Sequence, residues 1–173
     1  FYLHYANPAI MRANRVDRDT AYLDDLMTVY FDPFMDQQRA YDFDVNGYNV
    51  QGDGIINAGR RGGGRNPIPS ADRSWDTLFY SGAQIVHDGY TAEMAIPFKS
   101  LRYPQQPPGV EHRWGFQVVR EIKAKNAENV VWAPMSRDIQ TFMSQMGVLE
   151  GMTDLSTIGY SSIGADESFD WEQ

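Results

Sequence analysis

Apolar and polar residues alternate with a period of two along most of this chain. In Leu26–Asp32, Met27, Val29 and Phe31 share one face, and Leu26, Thr28 and Tyr30 the other. Over 39–46, Tyr41, Phe43 and Val45 point one way and Ala40, Asp42 and Asp44 the other. Successive side chains of a strand leave opposite faces, so this second segment is expected to be half buried and half solvated. Asn46-Gly47 predicts a tight hairpin, with 48–51 as its return strand. Further strands are expected over 77–86, 90–96, 114–122 and 129–133, and the opening residues 1–6 read as the middle of another. His87-Asp88-Gly89 has turn chemistry, and Pro97 ends a strand because it cannot donate to a ladder. No long window has a helical period; short helical pieces are expected at 20–25, 99–101 and 139–145.

Many short antiparallel strands with one apolar face call for two sheets packed together, so the expected fold is an all-β, two-sheet β-sandwich. A closed barrel is the competing architecture. Residues 1–151 would form the sandwich and 152–173 an extended acidic tail or linker. Residues 58–74 are rich in glycine and arginine and poor in apolar side chains, which predicts a long surface loop. The abrupt opening suggests strands preceding Phe1.

Composition removes several classes of function. The net charge is -8, against non-specific nucleic-acid binding and against adhesion to an anionic membrane. Without cysteine there is no disulfide framework, thiol nucleophile or cysteine zinc site. No apolar run reaches the roughly 18 residues of a spanning helix. Gly62-Gly63-Gly64 is followed by Arg65-Asn66-Pro67, not by the Lys-Ser/Thr of a phosphate loop. Its arginines, with Arg73, form the main basic cluster and one candidate docking surface.

Two sets of residues carry candidate chemistry. Asp32 and Asp36 lie four apart across a turn and could share a calcium ion; the competing role is turn capping on backbone N–H groups. Asp24 and Asp25 are a second acidic pair. Trp75 and Trp132 stand at strand ends, where an indole can stack on the apolar face of a sugar ring; packing in the core or at an edge is the alternative. Trp114 alternates with Phe116 and Val118 and is expected in the core. His4, His87 and His112 are isolated from any nucleophile pattern, and Glu93 is expected to be solvated or salt-bridged.

The order of four blocks resembles the family 9 carbohydrate-binding modules, in the branch found at the N-terminus of large bacterial envelope proteins with a domain of unknown function, DUF5916. The blocks are 25–32 with Asp36 and Ala40-Tyr41; Val45-Asn46 with 50–54; 74–76 through Gly89-Tyr90-Thr91-Ala92-Glu93-Met94-Ala95-Ile96-Pro97-Phe98-Lys99-Ser100-Leu101; and Trp114-Gly115-Phe116 with Arg120, Trp132-Ala133-Pro134 and 147–151. The resemblance spans about residues 1 to 151 and implies a β-sandwich that clamps a sugar between two aromatics without catalysis and binds calcium structurally.

The expected function is therefore a non-catalytic carbohydrate-binding module in a periplasmic or extracellular setting. Trp75 and Trp132 would form the stacking surface for a polysaccharide or oligosaccharide, and Asp32 and Asp36 would hold calcium. The alternative is a docking subunit of a larger envelope assembly, using the sandwich without sugar. A glycoside hydrolase has only undirected carboxylates in its favour.

Overall fold

The structure is a computed structural model and describes residues 1–58, 68–124, 128–136, 139 and 141–155. Among these are nine strands in two antiparallel sheets that form a β-sandwich. The strands are β1 (Tyr2–His4), β2 (Leu26–Asp32), β3 (Arg39–Val45), β4 (Gln51–Asn57), β5 (Tyr80–Val86), β6 (Gly89–Ala95), β7 (His112–Ile122), β8 (Glu128–Val131) and β9 (Gly147–Met152). The small sheet has the order β1-β6-β5. The large sheet runs β4-β3-β2-β7-β8, with β9 also paired to β7.

The period-two pattern builds the inter-sheet core. Met27 and Val29 of β2, Tyr41, Phe43 and Val45 of β3, and Trp114 of β7 meet Leu3, Tyr90 and Ala92 from the small sheet. Trp114 is core, as its alternation predicts.

The opposite face of the large sheet corrects the expected solvated side. Asp42 and Asp44 are buried, and Tyr30, Ala40, Ile56 and Val119 form a second apolar cluster with Ile68, Phe142 and Met143. The chain from Ile68 onward folds back over this face: Asp72 bridges Ile55, and Arg73 reaches both carboxylates. The segment 68–74 is thus sheet cover, and Arg73 is taken out of the proposed basic docking cluster. Residues 59–67, which hold the rest of that cluster, and the tail from 156 onward lie outside the described residues.

Three local expectations also change. Asn46-Gly47 does not make a two-residue hairpin. The Asn46 side-chain oxygen accepts from Tyr48 N–H and Val50 N–H, Asn49 takes a positive φ of 60°, and β4 starts at Gln51. Residues 20–25 form turns, not a helix, because Asp24 and Asp25 are spent on other backbone. Asp25 accepts from the Tyr5 hydroxyl and from the Arg12 and Lys123 N–H groups; Asp24 accepts from Asn14 and Asn46. The other two helical candidates are single 3-10 turns at Phe98–Ser100 and Met143–Gln145.

Candidate functional site

The small sheet has three strands and the large one six, and at one part of the large sheet's inner face the side chains are only partly buried. Aromatic rings fill that part. Phe31 ends the apolar row of β2 and touches Phe43 of β3, and Trp114 and Phe116 of β7, at centroid distances of 6.4, 6.0 and 5.3 Å. Trp132 lies on Phe116 at 5.6 Å, and Trp75 lies on Tyr41 at 5.0 Å and Phe43 at 6.0 Å. Phe98, from the 3-10 turn after β6, stands edge-on to Trp114 at 5.8 Å.

The two tryptophans singled out in the sequence are therefore the ends of one continuous row, Trp75–Phe43–Phe31–Phe116–Trp132. They do not touch each other. They differ in availability: Trp75 is half-buried against the core, whereas Trp132 is 58% exposed and Phe98 is 40% exposed. Period two explains why Phe31, Phe43 and Phe116 share this face. Trp132 is added by the bond from its N–H to Val118 O, which carries the chain past the end of β8 and over β7. Gly147, the first residue of β9, lets the indole lie flat: a Cβ there would fall inside contact distance of Trp132 Cζ3. Sequence reasoning found the two ends of the row but missed Phe31, Phe116 and Phe98. Their alternation signals only a buried face, and sheet coverage is not written in any one strand.

The acidic pair forms a turn. Asp32 is buried; its Oδ1 accepts from Phe34 N–H at 3.2 Å and its Oδ2 from Gln37 N–H at 3.0 Å. Asp36 is exposed and accepts from Gln38 N–H at 2.8 Å. Burial raises the Asp32 pKa against the opposing effect of those amides. The bonds hold Met35 and Gln37 at positive φ of 53° and 59°, a region that side chains with a Cβ seldom occupy. Calcium takes six to eight oxygens. Among the described residues no three Asp, Glu, His or Cys side chains come together as a metal set. Glu93 is exposed on the outer face of β6.

A family profile described as "Carbohydrate family 9 binding domain-like" matches residues 9–141. The chain belongs to this family. Its sandwich is similar to a crystal structure described as that of "a putative carbohydrate-binding protein from Bacteroides uniformis ATCC 8492", with a TM-score of 0.56 and 14% identity over 81% of this chain and 67% of that one. At that identity the likeness concerns the fold. No match was found among curated proteins. The family match begins after β1 and stops short of β9, so it includes the whole aromatic row.

Proposed function

We propose that this domain is a non-catalytic carbohydrate-binding module that stacks a sugar on the aromatic row ending at Trp132. The observation that carries the reading is the exposure of rings on the inner sheet face, where Trp132 is open to solvent over Phe116 and Phe98 over Trp114. Pyranose rings present C–H faces that pack on such rings, and an already ordered platform loses little freedom on binding. Trp75, half-buried at the far end of the row, gives an edge to the platform and little stacking area. A periplasmic or extracellular place in a bacterial envelope goes with this reading and rests on the resemblance of the sequence blocks.

The test is affinity electrophoresis in gels containing soluble polysaccharides, comparing the wild type with Trp132→Ala and Trp75→Ala. Trp132→Ala should abolish retardation while thermal melting stays close to wild type, since the ring is mostly outside the core. Trp75→Ala should lower the melting temperature. Retardation unchanged by Trp132→Ala would remove the platform from the proposal.

A docking subunit is the second reading, and the same surface favours it: exposed aromatic rings also fit a protein partner. Co-purification of a stoichiometric partner lost in Trp132→Ala, with no polysaccharide retardation, would select it.

A further inference from the structure

The reverse face of the large sheet holds a cavity of about 420 Å³, lined by side chains from β2, β3 and β7 and by the returning segment 68–73. It is separate from the aromatic row, because Tyr30, Asp42, Asp44 and Glu121 have the opposite parity to Phe31, Tyr41, Phe43 and Phe116. Its volume is that of a small-molecule site.

The cavity carries two sets of opposed charges. Arg73 Nη2 lies 2.7 Å from Asp44 Oδ2 and 3.4 Å from Asp42 Oδ2, and Lys123 pairs with Glu121. Asp42 and Asp44 are each 3% exposed. The wall has hydrogen-bonding capacity that the described residues do not use: Asp42 Oδ1 and Arg73 Nη1 are buried and have no hydrogen-bond partner among them. A buried polar atom without a partner is unfavourable, and a site of this kind rewards a ligand that completes it. Tyr22, exposed, and Leu26 and Ile68, buried, supply apolar surface to the same cavity.

The unused pair is one acceptor and one donor on neighbouring, ion-paired side chains. An ammonium or a metal cation would answer the acceptor alone and would stand beside Arg73 and Lys123. A free anion would answer the donor and face four carboxylates: Asp19, Asp42, Asp44 and Glu121. Neighbouring hydroxyl groups answer both, since each hydroxyl donates and accepts. We infer that this cavity is a second, polar site for a neutral polyhydroxylated ring, a single pyranose unit, read by Asp42 and Arg73. It shares the ligand class of the proposed function but not its surface.

The experiment is amide chemical-shift mapping on the whole chain, titrated with glucose, galactose, mannose and xylose to about 50 mM, well above a weak millimolar affinity. Two variants accompany it: Ser70→Trp, at the exposed rim of the cavity, and Trp132→Ala, on the other face. Shifts at Tyr30, Asp42, Asp44 and Arg73 that vanish in Ser70→Trp and persist in Trp132→Ala are expected. Neither variant touches a buried ion pair, so loss of the signal is not loss of the fold. Shifts confined to Phe31, Phe116 and Trp132 would overturn this inference and leave the proposed function standing. Shifts at neither surface would overturn this inference, while polysaccharide retardation alone decides the proposed function. Saturable shifts at the cavity with methylammonium, and with none of the four sugars, would overturn it in favour of a cation site.

Discussion

Replacing Arg73 with methionine isolates the electrostatics of the reverse face. Methionine keeps much of the length and removes the charge, leaving Asp42 and Asp44 buried side by side with no cation. Removing one partner of a buried ion pair costs about 3–5 kcal/mol. The Arg73 side chain is 34% exposed, so solvent already screens part of the attraction and the lower end, about 3 kcal/mol, applies. For a chain of this size that is a fall in melting temperature of roughly 6–12 °C at neutral pH. The pH dependence is the sharper test. Burial raises the pKa of both carboxylates above the ordinary 3.8, against the lowering effect of Arg73. A raised folded-state value means that the folded protein holds its protons longer than the unfolded chain does. The cost of the two acids is therefore absent below about pH 3.8 and grows as pH rises towards the raised values. Without Arg73 those values climb further, so the deficit of Arg73→Met should be largest near pH 8 and shrink towards pH 5. Adding Asp42→Asn should recover part of it. Urea unfolding followed by tryptophan fluorescence at both pH values measures this. An equal deficit at pH 5 and pH 8 would refute the reasoning, because packing alone would then account for the loss.

Three further outcomes follow from single contacts. A Cβ on Gly89 would collide with the Leu3 carbonyl, so Gly89→Ala should detach β1 and uncover Leu3 and Tyr5; at about 1.5–3 kcal/mol for each buried side chain, the loss in chemical denaturation should be about 3–6 kcal/mol. Gly147→Ala should push the Trp132 indole off Phe116, red-shift the tryptophan emission and weaken polysaccharide retardation, with little change in melting temperature. Millimolar calcium should leave the melting temperature unchanged in scanning calorimetry, since Asp32 and Asp36 already serve backbone amides; a saturable rise lost in Asp36→Asn would instead identify them as ligands.

Most strands and the inter-sheet core could be read from alternation, because Met27, Val29, Tyr41, Phe43 and Trp114 mark one face without ambiguity; β9 was not expected, and β4 runs beyond the expected 48–51. The reverse face could not. Asp42 and Asp44 look solvated in sequence, and only the return of 68–73 makes them interior. That return depends on a cation 29 residues after Asp44, a distance at which no local pattern operates. Asp24 and Asp25 misled in the same way: each satisfies donors from separate segments, which no spacing announces. The two ends of the aromatic row were legible because tryptophans at strand ends are conspicuous. The middle was not, because Phe31 and Phe116 are indistinguishable in sequence from core residues until the extent of the smaller sheet is known.

The pairing of β2 with β7 has a consequence for how the protein comes to exist. Leu26 sits opposite Glu121, so the central strand of the large sheet waits for roughly 90 residues of further chain before its second neighbour arrives. At about 5–20 residues per second of synthesis, that wait is roughly 5–20 s. Until then the β2–β3 hairpin can be extended by β4 alone within its own sheet, and the other edge of β2 stays without its partner strand. The yield of correctly assembled protein should thus depend on how quickly the ribosome delivers β7, and on whether something holds the hairpin meanwhile.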